Sequence, residues 1–154
     1  MRNNSGKKGS GMPVVRNMQF NFREGFCWND INTTFLKCRI KGKSVNDVKS
    51  MSLYGTIETI PEYYFVSMIN STFFSYYVDS FVNNTQTFQI NDARQLPIVI
   101  PDENYLCQIK QIFDSAILIK KEFFENKISF SDSEEKLRDL QKRLDELVLC
   151  IYKV

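Results

Sequence analysis

The chemistry open to this chain is bounded first by a missing side chain, since none of its 154 residues is histidine. Without an imidazole, Ser-His-Asp and Cys-His nucleophilic arrangements, histidine acid/base catalysis and histidine-containing zinc sites are excluded. The four cysteines, Cys27, Cys38, Cys107 and Cys150, stand far apart with no C-x-x-C pair, and read as buried, reduced thiols. Gly42-Lys43-Ser44 ends like a phosphate-binding loop, but position 37, where that loop needs its first glycine, is a lysine. Gly6, Gly9 and Gly11 beside Lys7 and Lys8 follow no strand and read as a linker. Pro101-Asp102 followed by Glu125-Asn126-Lys127 has the residue types of a PD...ExK nuclease centre, in which two carboxylates share a magnesium ion beside a lysine. That centre needs its E-x-K triplet on a strand; here the triplet falls at a helix end, where positions two apart do not share a face. A helix cap and a solvated helix end are the expected roles. No catalytic residue, cofactor or metal is expected.

Binding chemistry remains. Residues 1 to 49 hold ten basic residues against three acidic ones, whereas the rest of the chain holds ten basic against fifteen acidic. The net charge of +2 therefore hides a basic part joined to an acidic part, which is either a polyanion-facing surface on a separate support or a solvated charged face. With 43% hydrophobic and 14% aromatic residues the chain has the means to build one core without disulfides or metal. No apolar run is long enough to span a membrane and the N-terminus lacks the apolar stretch of a signal peptide, so a cytoplasmic protein with no membrane partner is expected.

The elements that must position the charges follow from spacing. Residues 1–12 read as a flexible leader or the edge of a longer chain, 13–101 as a globular unit and 102–154 as a helical hairpin. Short apolar runs at Val14-Val15, Met18 to Phe22, Phe26 to Trp28, Phe35 to Ile40 and Met51 to Ile57, separated by turn residues, predict a small antiparallel β region. Alternation of Leu36, Cys38 and Ile40 puts Lys37, Arg39 and Lys41 on the opposite, basic face. Trp28 either anchors the β core or sits at an interface. The spacing of Phe65, Met68, Ile69, Phe73, Tyr76 and Tyr77 predicts a core helix from Glu62 to about Phe81. Pro97 restricts Leu96 to Ile100 to an edge strand or an extended connector. Asp102 should cap a helix running to about Asn126, and Ser131 with Glu134 a last helix along Leu137, Leu140, Leu144, Leu147 and Ile151. This pair is either a projecting arm or a hairpin folded flat on the core. The expected fold class is α+β: a small antiparallel β region with one core helix, followed by an antiparallel pair of C-terminal helices.

Taken in order, several segments resemble the C-terminal target recognition domain of DNA adenine methyltransferases in TaqI-like and type IIG restriction-modification enzymes, and the specificity subunits of type I systems. Phe22-Arg23-Glu24-Gly25-Phe26-Cys27-Trp28-Asn29-Asp30-Ile31 looks like that family's strand-turn entry with its Gly-Ile-x-Trp core. Ile69-Asn70-Ser71-Thr72-Phe73-Phe74-Ser75-Tyr76-Tyr77 is similar to its "lNSklfsyy" helix, and Thr87-Phe88-Gln89-Ile90 with Leu96-Pro97-Ile98-Val99-Ile100-Pro101 resembles its "fq...l..ipiP" connector. Leu144-Asp145-Glu146-Leu147-Val148-Leu149-Cys150-Ile151-Tyr152 looks like its closing "ideLVyeLY" helix. The resemblance covers roughly residues 13–154. The chain departs from the family in lacking the Asn-Pro-Pro-Tyr type motif and the Gly-rich S-adenosylmethionine turn of the methyltransferase half, and in reading Val82-Asn83-Asn84-Thr85-Gln86 where a glycine is common.

The resemblance implies a non-catalytic, sequence-specific double-stranded DNA recognition domain that works with a methyltransferase domain or subunit outside this chain. On the residues themselves, Arg16, Arg23, Lys37, Arg39, Lys41 and Lys43 are candidates for DNA contact, with Arg23 or Arg39 able to read guanine. The amides of Asn83, Asn84, Gln86 and Gln89 could read adenine edges. The alternative is a protein–protein interaction module that acts through its helical arm.

Overall fold

A computed structural model describes residues 18–45, 50–55 and 57–153. The leader, Val14-Val15 and Arg16 lie outside the described residues. Three short strands, β1 (Gly25–Asn29), β2 (Cys38–Lys41) and β3 (Ser50–Leu53), form an antiparallel sheet in the order β2-β1-β3, with helices after them. The fold is α+β, as composition and spacing predict. Met18 to Phe20 is a 3-10 turn rather than a strand, and Phe22 takes a left-handed conformation (φ 60°) that ends any extended run before β1.

Register assigns the two faces of the sheet. Phe26 and Trp28 lie opposite Ile40 and Cys38 on one side and Leu53 and Met51 on the other, so these residues share the inner face. Cys27 and Asn29 share the outer face with Arg39, Ser52 and Ser50. Trp28 is fully buried and its indole donates to the Phe88 carbonyl at 2.7 Å, which settles it as a core anchor. Cys38 and Cys27 are buried too, whereas Cys107 and Cys150 are exposed, against the expectation of four buried thiols; burial pushes the Cys38 thiol far above its ordinary range.

Helix α1 (Glu62–Ile69) covers the inner face with Tyr64, Phe65, Val66, Met68 and Ile69 all buried. The single helix expected to Phe81 is broken at Asn70 and Ser71. Ser71 takes extended backbone and its hydroxyl accepts from Phe74 N, restarting the chain as α2 (Thr72–Tyr77), which runs into a π-helical turn at Val78–Val82. The break frees Asn70 to act as a piece of strand: its carboxamide accepts from Cys38 N at 2.7 Å and donates to Cys38 O at 2.8 Å, satisfying the open edge of β2.

After the short helix α3 (Ile90–Ala93), residues 96–101 are the extended connector that Pro97 requires. Two phenols hold it: Tyr64 donates to Val99 O at 2.8 Å and Tyr152 to Pro97 O. Burial raises both hydroxyls above their usual pKa. Helix α4 (Glu103–Phe124) starts at Asp102, whose carboxylate accepts from Tyr105 N. Helix α5 (Phe130–Tyr152) is capped by Ser129, not Ser131, because Asn126 (φ 57°) closes α4 early and the chain turns within a few residues.

The two long helices pack on each other and on the sheet-bearing body. Phe113 of α4 meets Tyr63, and Tyr152 of α5 stacks on Phe73 at 4.7 Å. Toward the turn, Phe124 and Phe130 are 76% and 67% exposed, so the turn end of the pair stands as an exposed arm. No described helix is long and apolar enough to cross a membrane.

Candidate nucleic-acid interface

Arg39 lies on the outer face of the sheet, and Arg23, Lys37 and Lys43 lie just beyond the ends of its strands. Arg39 projects from β2, and one of its guanidinium nitrogens donates to the Asn29 side chain at 3.1 Å. Asn29 is neutral, so this bond orients the guanidinium without cancelling its charge. Lys37 precedes β2 and Lys43 follows it, both exposed. Among the described residues, the ion pairs leave Arg23, Lys37, Arg39 and Lys43 without a carboxylate partner.

Lys41 is corrected. It keeps the parity of the outer face but is only 7% exposed, and its ammonium donates to the carbonyls of Arg23 (3.1 Å), Gly42 (3.3 Å) and Ser44 (3.0 Å). Tyr54 covers it, with the ammonium 5.6 Å from the ring centroid. Gly25 makes that cover fit: a Cβ there would lie 2.3 Å from Leu53 O and 2.9 Å from the Tyr54 ring. A lysine spent on three carbonyls is a strut between two loops and not a phosphate contact.

Residues 22–24 and 42–44 extend the β1–β2 pair beyond the sheet as a narrow ribbon, closed by a bond from Phe22 N to Ser44 O at 2.9 Å. At the other end of β1, residues 30–32 run beside 86–88: Asn32 N donates to Gln86 O, Phe88 N to Asp30 O, and Ile31 bridges Thr87. The ribbon and the polar loop thus bracket the outer face, separated by the length of β1, about 13 Å at ~3.3 Å per residue.

Within the loop, Asn84, Gln86 and Gln89 are exposed. Asn83 is corrected, because its carboxamide is consumed inside the loop. It donates to Thr87 O and the Asp92 carboxylate and accepts from Thr85 N and the Thr85 hydroxyl. The same Asp92 carboxylate accepts from Gln89 N at 2.8 Å, so Asn83 and Asp92 fix the loop while its neighbours face outward.

Asp102 and Glu125 stand at opposite ends of the 22-residue helix α4, about 33 Å apart at 1.5 Å per residue, and cannot share a metal ion. Lys127 bonds Glu125 at 2.7 Å on the arm surface. A cavity of about 440 Å³ lies on the inner side between β2, α1 and the long helices, with Val66, Ile112, Ile117, Leu137 and Leu140 among its apolar lining.

Sequence reasoning missed Phe20, Asn29 and Tyr54, which shape the outer face, and it treated Asn70 and Asp145 only as parts of matching segments. Asp145 of α5 accepts from Thr72 N at 2.8 Å and the Thr72 hydroxyl at 2.7 Å, capping α2 from another element. Gln141 joins them by donating to Asn70 O and Asp145. Aspartate within a charged helix gives no such signal, since the two partners lie more than seventy residues apart.

Compared with known proteins, the chain matches no family model and none of the curated proteins searched.

Proposed function

We propose that this chain is a sequence-recognition domain for double-stranded DNA that does no chemistry of its own. The observation that carries the reading is the outer face with the strand ends beside it, where Lys37, Arg39 and Lys43 present charge that no carboxylate neutralises among the described residues. Such a face suits phosphates, which position a protein on duplex DNA and make its binding salt-dependent. The exposed amides of Asn84, Gln86 and Gln89 at one end, and the ribbon at the other, are suited to base edges. The ordered resemblance to restriction-modification specificity domains supports the same reading, and with it a partner methyltransferase domain or subunit. If a target adenine is turned out of the helix, that partner supplies the pocket, while this domain holds the flanking duplex.

The exposed arm supports a second role beside the first. Phe123, Phe124 and Phe130 cluster at its tip, with centroids 5.5 and 6.0 Å apart, and two of the three rings are mostly exposed. An aromatic cluster at the end of a helical pair suits docking to a protein partner. Selection from a random duplex pool at two salt concentrations tests the DNA reading. One enriched short motif supports it, and failure to retain duplex at either salt sinks it.

A further inference from the structure

We propose that Arg23 is the residue that selects guanine, reading it from the ribbon end of the sheet, and that the surrounding structure exists to aim this one guanidinium. The proposal rests on the DNA reading above and names the base and the side chain that reads it.

Four independent features converge on Arg23. Its guanidinium carbon lies 5.6 Å from the Phe20 ring centroid and 5.3 Å from that of Tyr54, and the two rings are themselves nearly parallel, at 12°. Its carbonyl is held by the buried ammonium of Lys41. The residue before it, Phe22, is 63% exposed yet sits at φ 60°, a conformation a bulky residue adopts only when its surroundings impose it. Gly25, two residues on, leaves the space in which the Tyr54 ring lies.

This environment restricts the side chain while leaving its hydrogens uncommitted. The guanidinium stands beside the stacked pair of rings, and among the described residues its head group makes no hydrogen bond or ion pair. Arg39 differs: it has already given one nitrogen to Asn29, which suits a charge that positions rather than a fork that reads. A planar fork with all its hydrogens free matches the paired acceptors O6 and N7 that guanine alone displays in the major groove. The ribbon that carries it is two chain segments wide, which the major groove admits.

The test is motif selection from random duplex DNA by the full chain, its R23K variant and a K41R variant. R23K keeps the charge and loses the fork. The wild type is expected to enrich a motif with a fixed guanine. R23K should lose preference at that single position by about 5- to 150-fold while its salt slope and affinity for random duplex stay within about twofold. K41R, which disturbs the strut between the Arg23 carbonyl and those of Gly42 and Ser44, should blur the same position most. The unshifted emission of buried Trp28 confirms that each variant is folded. An unchanged motif in R23K overturns the assignment and leaves the DNA reading standing. A variant R23A whose salt slope drops by about 0.9 with no change of motif also overturns it, by making Arg23 a phosphate ligand. A wild-type chain that retains no duplex takes down both.

Discussion

Residues 103–153, which hold the long helices and the turn between them, carry nine cations, five of them paired with a carboxylate among the described residues, whereas none of Arg23, Lys37, Arg39 and Lys43 on and beside the sheet is so paired. On the arm, Lys110 bonds Asp114, Lys120 bonds Glu134, Lys121 and Lys127 share Glu125, and Lys142 lies near Asp139. On the sheet, Arg39 meets a neutral carboxamide and Arg23 two aromatic rings. A helix surface brings opposite charges into register at three- and four-residue spacing, so a mixed sequence neutralises part of its charge there. A sheet can pair charges across strands, but the residue opposite Arg39 is the uncharged Cys27 and its side-chain partner is the neutral Asn29. The difference shows that net charge is a poor guide to a binding surface. What counts is which cations the fold leaves unneutralised.

The strongest way to break that contrast is to strip the sheet. A triple variant, K37A/R39A/K43A, is expected to weaken binding to all duplex sequences by about two to three orders of magnitude near 0.1 M salt, with the slope of log K against log salt falling by about 0.9 for each phosphate left without its cation. Fluorescence anisotropy across a salt series measures both. Equal weakening from the arm variant K120A/K121A/K127A would mean that paired and unpaired cations serve alike, and the contrast would fail.

A second variant probes the joint between the two regions. Asp145 caps α2 from α5 and accepts three hydrogen bonds, from Thr72 N, the Thr72 hydroxyl and Gln141. Asp145→Ala leaves the Thr72 amide without its acceptor, at an expected cost of about 2 to 3 kcal/mol in urea unfolding. Asp145→Asn keeps the shape and should recover part of it. A D145A cost below ~0.5 kcal/mol would show that the arm is attached by packing alone.

Much of this architecture is legible in the residues, and the failures share a cause. A small antiparallel sheet, a Pro97 segment kept out of any central strand and the Asp102 cap follow from rules that act within a few residues, whereas the fold decides that Trp28 anchors the core. The break after Ile69 escapes such rules because hydrophobic spacing continues across it, while Asn70 there bonds a strand thirty-two residues earlier. Lys41 misleads for a related reason. Alternation places its side chain on the right face but says nothing of Tyr54, which arrives from β3's end and covers it. Asn83 has the amide a base reader needs, and the loop uses it first. The exposed cations are legible as a basic face, but their lack of partners becomes visible only once the chain is folded.

Alkaline pH separates the connector from both charged regions. Burial raises the phenols of Tyr64 and Tyr152 above the ordinary value of 10.0, so the unfolded chain ionises them first. Their contribution is whole below that value and is lost as pH climbs through the raised one. Stability should therefore fall with a steepening slope above about pH 10, and Tyr64→Phe should remove part of that slope. A slope identical in wild type and variant would assign the alkaline loss to other groups.

The smallest expected effect is the most discriminating for the arm. Lys120 reaches Glu134 across the helical pair at 3.2 Å, with both side chains nearly half exposed. Solvent screening limits such a pair to about 0.2 to 1 kcal/mol, and a double-mutant cycle of K120A and E134A should return a coupling in that range that shrinks as salt is added. Duplex affinity should not move in any corner of the cycle, because a cation already neutralised contributes no counterion release. Should E134A alone tighten DNA binding, the freed Lys120 would have joined the outer face in holding phosphate. The arm would then be a charged surface held in reserve, and the pairing pattern, rather than the sheet, would set where DNA binds.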